Sequence, residues 1–104
     1  MKIAWNQKLR QQPRLIFEEA GYHAFTDPNT GAASFVMRLG RGHYPRFHAY
    51  VKVRRSGHLE ISLHLDQKQA CYEGQTAHAG EYEGAQINEE AARITRWLAY
   101  YTAE

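Results

Sequence analysis

The sequence has a single cysteine, Cys71, in 104 residues. That excludes an intramolecular disulfide and a cysteine-built zinc site. No apolar run approaches the ~18–20 residues of a membrane span, and no signal-peptide core follows the first residues. The expectation is a cytoplasmic protein with no membrane partner. Repeats, low-complexity tracts and linkers are absent, so residues 1–104 read as one domain. Gly40-Arg41-Gly42 lacks the third glycine and following helix of a dinucleotide-binding turn, and no H-E-x-x-H zinc motif occurs. Net charge is low as well: 13 Lys and Arg against 11 Asp and Glu give +2. Apolar residues are not lacking. They make up 43% of the chain, with 12% aromatic, which supplies a core and excludes a disordered chain.

The small net charge hides an asymmetry. Residues 1–55 carry ten basic and three acidic side chains, net +7. Residues 56–104 carry three basic and eight acidic ones, net −5. The span from Arg38 to Arg55 has six bases and no acid. Such a stretch suits phosphate contacts, or pairs with the acidic half across the fold.

Local patterns give an order of α-β-β-β-β-α. Residues 13–20 read as a short helix, with Pro13 in its first turn and Gly21 closing it. Residues 5–12 lead into this helix or extend it. Residues 22–26 and 32–39 flank a Pro-Asn-Thr-Gly turn and read as a hairpin. Residues 46–54 and 58–66 alternate strictly. Phe47, Ala49, Val51 and Val53 fall on one side of the first strand, and Leu59, Ile61, Leu63 and Leu65 on one side of the second. Arg55-Ser56-Gly57 is a three-residue turn between them. Residues 67–86 show no period. Residues 88–102 read as an amphipathic helix with Asn88 as N-cap and Ile87, Ala91, Ile94, Leu98 and Tyr101 on one face. Glu89 and Arg93 have i,i+4 spacing. Trp5, Phe17, Phe35 and Trp97 complete the core. The expected fold is two-layer α+β: an antiparallel meander of three to four strands, both helices on one face and the other face open to water.

The three-residue turn fixes a register. It sets Arg54 opposite His58, Lys52 opposite Glu60, Tyr50 opposite Ser62, His48 opposite His64 and Arg46 opposite Asp66. All polar side chains of the hairpin then share the open face. Opposed Cβ atoms lie ~4.5–5.5 Å apart, so His48 and His64 can share a proton, an anion or a metal. Two histidines also suit metal-free phosphodiester cleavage, one deprotonating the attacking hydroxyl and one protonating the leaving oxygen. This makes His48 and His64 candidate catalytic residues. Arg38, Arg41, Arg46, Lys52, Arg54 and Lys68 are candidates to hold a phosphate-bearing ligand, RNA among them. Asp66 stands on the same face. His78, Glu81 and Tyr82 come from the glycine-bracketed loop, which can close over the site. No cofactor is needed for that chemistry. The alternative is a divalent metal on His48, His64 and Asp66, or Glu81 as the carboxylate, in a two-His-one-carboxylate arrangement. A third reading is a non-catalytic surface for a protein partner. Cys71 with His78 as base is a minor nucleophile candidate. An uncovered edge strand gives a route to homo-oligomers.

Residues 64–84 (HLDQKQACYEGQTAHAGEYEG) resemble segments of small bacterial proteins of unassigned function. The order of helices and strands, with His48 on a central strand and His64 ending the next, resembles double-stranded-RNA-binding domains and the related HicA-type mRNA-cleaving toxins. That resemblance implies RNA as ligand and a strand histidine as a catalytic group. The chain departs from the pattern by an extra strand, by its long loop, and by Asn88-Glu89-Glu90 where the RNA-binding domain's last helix begins with basic residues.

Overall fold

A computed structural model describes residues 1–67, 80–81 and 83–103, with backbone alone for 80 and 81. The elements run β1 (Lys2–Trp5), α1 (Pro13–Glu19), β2 (His23–Thr26), β3 (Ala33–Arg38), β4 (Arg46–Val53), β5 (Leu59–Asp66), β6 (Gly80–Glu81) and α2 (Ala85–Tyr100). All strands join one antiparallel sheet in the order β1-β5-β4-β3-β2, and β6 also pairs with β5. The fold is the expected α+β meander, with both helices packed on one sheet face. No helix among the described residues is long and apolar enough to cross a membrane.

The β4–β5 register is the expected one. Arg46 lies opposite Asp66, His48 opposite His64, Tyr50 opposite Ser62 and Lys52 opposite Glu60. The chain turns through residues 55–57, where Gly57 takes φ +86° and donates its N–H to the Arg54 carbonyl at 2.9 Å. A glycine meets that positive φ without a Cβ clash.

Two additions extend the sheet beyond β5. Residues 2–5 form β1, a strand outside the expected order, and residues 6–12 lead into α1 without extending it. The burial of β1 alternates, with Ile3 and Trp5 packed toward the core. Four residues are too few to show a clear period. β6 places Gly80 opposite Asp66 and Glu81 opposite Leu65. The C-terminal helix begins one turn earlier than expected. Gly84 caps it, and the Asn88 N–H already bonds the Gly84 carbonyl at 2.9 Å, so Asn88 is not the cap.

The core gathers Ile16 and Phe17 of α1, Ala49 of β4, Ile61 and Leu63 of β5, and Ile87, Ile94 and Leu98 of α2. Trp5, Phe35 and Trp97 are half-buried against it. One charged residue enters this layer. Glu90 is 5% exposed. It accepts from the Tyr22 hydroxyl at 2.6 Å and from Arg93 Nε and Nη2 at 2.7 and 2.8 Å. Arg93 therefore pairs with Glu90 at i,i+3 and not with Glu89. Burial, then the Glu90 carboxylate, push the Tyr22 hydroxyl well above its ordinary range. The same carboxylate raises Arg93 further.

Gly21 closes α1 at φ +104°, and a Cβ there would lie 3.1 Å from Met37 Sδ. Gly21→Ala is expected to cost about 1–2 kcal/mol, from the left-handed backbone and the sulfur contact together. Urea unfolding checks this. An unchanged midpoint would show that the turn accommodates a side chain.

Candidate functional site

The site lies on the sheet face away from the helices. His64 and Asp66 are two apart on β5 and so share that face. His48 lies opposite His64, diagonal to Asp66. From these positions Asp66 reaches both rings: Oδ1 is 2.9 Å from His64 Nε2, and Oδ2 is 3.1 Å from His48 Nδ1. Arg46, opposite Asp66 in the register, donates from Nε to Oδ2 at 3.2 Å. One carboxylate thus joins both histidines and an arginine.

The environment differs from the open face expected from the sequence. His48 is 5% exposed and His64 8%. Their rings lie 4.9 Å apart, tilted by 43°. The Tyr50 ring stacks on both, at 4.5 Å from His48 and 5.7 Å from His64. Phe25 meets His48 edge-on at 6.0 Å. The Arg46 guanidinium lies over the rings of Tyr44 (4.7 Å) and Phe25 (5.2 Å). The end of the polar stripe that holds Arg46, His48, His64 and Asp66 is therefore a largely buried cluster walled by aromatics. Alternation fixes which face a side chain occupies, and neighbouring rings decide how much water reaches it.

Ser34 completes the cluster. Its Oγ lies 2.7 Å from His48 Nε2 and 3.5 Å from the Phe25 carbonyl. Two proton placements fit these distances. In one, both imidazoles are neutral and donate to Asp66, while His48 Nε2 accepts from Ser34. In the other, Ser34 donates to Phe25 and accepts from His48 Nε2, and either a proton on His48 Nδ1 or a bound cation then joins that nitrogen to Asp66. Burial pushes the Asp66 carboxyl up. The hydrogen bonds from His48, His64 and Arg46 outweigh it and hold the carboxyl well below its usual range.

The remaining candidate residues scatter. Arg54 is taken by Glu60 at 2.6 Å, and Lys2 approaches the same carboxylate at 3.6 Å. Lys52, expected to pair with Glu60, acts on it only at longer range. The Arg54 side chain remains half exposed. Arg38, opposite Arg46 in the register, is exposed, as are Arg41 and Lys52. Lys68, Cys71, His78 and Tyr82 lie outside the described residues, as does the Glu81 side chain. Sequence reasoning missed Ser34, because the β3–β4 register was not set by any turn it had recognised. It missed Glu90 despite a visible signal: positions 87, 90, 91, 94 and 98 trace one helical face.

Among the described residues, His48, His64 and Asp66 are the one group of three metal-ligating side chains that converge. One ligand atom from each lies within 4.8 Å of the others. Comparison with protein-family models, with curated proteins and with solved structures gives no match. The site is therefore read from its own geometry.

Proposed function

We propose that the protein binds one divalent first-row transition-metal ion through His48, His64 and Asp66. The observation that carries this reading is convergence: three ligand atoms within 4.8 Å of one another, on two strands whose register sets the residues side by side on one face. Two imidazoles with one carboxylate suit zinc, iron or cobalt, whereas calcium and magnesium prefer oxygen ligands. Two further residues support the ligands from behind. Arg46 bonds Asp66 Oδ2, and Ser34 bonds His48 Nε2. Such outer partners fix ring orientation and tautomer. Three protein ligands leave coordination positions open, so a bound ion would supply Lewis-acid chemistry toward water or an anion. Metal-free cleavage by the histidine pair has less support. Both rings are buried and already bonded to one carboxylate.

The test uses protein purified without a His tag, stripped of metal and titrated with Co²⁺. The expected result is one Co²⁺ per chain, with visible absorption bands that His64→Ala removes. No stoichiometric Co²⁺, or full binding by His64→Ala, would end the metal reading.

A phosphate-bearing ligand, RNA included, is the second reading. Its support is that Arg38, Arg41 and Lys52 are exposed and have no ion-pair or hydrogen-bond partner among the described residues. RNA affinity measured across a salt series tests it. Affinity should fall as salt rises, and absence of binding at low salt would reject it.

A further inference from the structure

A second candidate site lies on the helical side of the sheet, away from the metal cluster. A cavity of about 490 Å³ opens between the end of α1 and the last turns of α2. It is lined by Glu19, Arg93, Arg96, Trp97, Tyr100 and Tyr101. This size is within the range of small-molecule sites.

The aromatic wall is held in place. The Trp97 and Tyr101 rings are near-parallel, 13° apart with centroids at 6.4 Å, and Tyr100 stands edge-on to both. Residues 8–10 strap the helix end. Arg10 N–H donates to the Tyr101 carbonyl at 2.6 Å, Ala103 N–H to the Lys8 carbonyl at 2.7 Å, and Leu9 bridges to Thr102. The Arg10 guanidinium lies over Tyr100 and Tyr101 at 5.8 and 5.6 Å. Tyr100 is nonetheless 67% exposed, the most of any large hydrophobic residue among those described. A fixed, exposed aromatic surface in a concavity is ready to stack a planar ring.

The charges select the other half of the ligand. Arg93 is committed to Glu90. The Glu19 carboxylate accepts from the Tyr101 hydroxyl. Arg96 is exposed and has no ion-pair or hydrogen-bond partner among the described residues. Its fork of N–H donors fits one carboxylate or phosphate. From the ring platform and this free guanidinium, we infer that the cavity binds a small planar aromatic anion. The ring stacks on the exposed Tyr100 face with Trp97 against its edge, and the anionic group meets Arg96.

Calorimetry and the NMR signal of the Trp97 indole test this with two matched pairs: indole-3-acetate against neutral indole-3-acetamide, and adenosine 5′-monophosphate against adenosine. At least one anion should bind about tenfold more tightly than its neutral counterpart, as a charge-assisted bond requires. Arg96→Gln should abolish that difference, and Tyr100→Ala should weaken both members of the pair. Both residues are exposed, so the fold should tolerate the changes. The pair that responds identifies a carboxylate or a phosphate as the anionic group. No saturable binding in the millimolar range, equal binding of anion and neutral counterpart, or an unaltered difference in Arg96→Gln would overturn the proposal. Co²⁺ binding should be the same in Arg96→Gln and the parent protein, so failure here leaves the metal reading standing.

Discussion

Glu90→Ala is expected to remove about 3–5 kcal/mol of stability, the cost of breaking a buried ion pair from one side. Glu90 accepts from the buried Tyr22 hydroxyl and from Arg93 Nε and Nη2, and Nη2 also reaches Met37 Sδ at 3.4 Å. Without it, Arg93 can still turn toward water, since its side chain is 31% exposed. Tyr22, at 1% exposure, cannot. Whole domains are stable by only ~5–15 kcal/mol, so this single change can unfold the protein at physiological temperature. Tyr22→Phe removes only one donor and leaves Glu90 held by Arg93, so it should cost about 1 kcal/mol. The discriminating measurement is a double-mutant comparison by urea unfolding. In a Glu90→Leu background, Tyr22→Phe should restore stability, because it removes the orphaned hydroxyl. If Tyr22→Phe costs the same in both backgrounds, the hydroxyl–carboxylate bond is not what holds this layer.

Asp66→Ala should have the largest effect on metal binding. Loss of an outer partner typically costs 10–100-fold in affinity, so loss of a ligand should weaken Co²⁺ or Zn²⁺ binding by at least about 100-fold. The variant also strips Arg46 of its carboxylate. That side chain is 13% exposed and lies between two rings, so the metal-free protein should lose about 1–3 kcal/mol. Thermal unfolding with and without Zn²⁺ separates the two effects. Zn²⁺ at ~100 times its dissociation constant should stabilise the parent by ~2.7 kcal/mol and leave Asp66→Ala unmoved. A lower melting point with the Zn²⁺ shift intact would make Asp66 a purely structural link between the histidines and Arg46.

Glu90 and Asp66 also mark how far the sequence could be read. The β4–β5 hairpin was legible because its turn is local and its alternation is long. A three-residue loop with glycine at the positive-φ position sets every pair from Val53–Leu59 to Arg46–Asp66. His48, His64, Arg46 and Asp66 were therefore brought to one face by pattern alone. The first helix followed from Pro13 and Gly21 at its ends and the second from its apolar period, though α2 begins at Ala85 and takes Glu90 into the core side of its face.

What the sequence by itself determined is thus the meander, its register and the set of side chains that meet across it, since these depend on residues a few positions apart. The tertiary structure decided the rest. β1 reaches β5 from the far end of the chain, Ser34 reaches His48 across a strand pair that no short turn specifies, and Arg54 captures the Glu60 partner expected for Lys52. It also turned one end of an open polar stripe into a buried cluster under Tyr50, Phe25 and Tyr44. The physical reason is the same in each case. Periodicity fixes the direction of a side chain, while its burial and its hydrogen-bond partners depend on atoms that only the folded chain brings within a few ångströms.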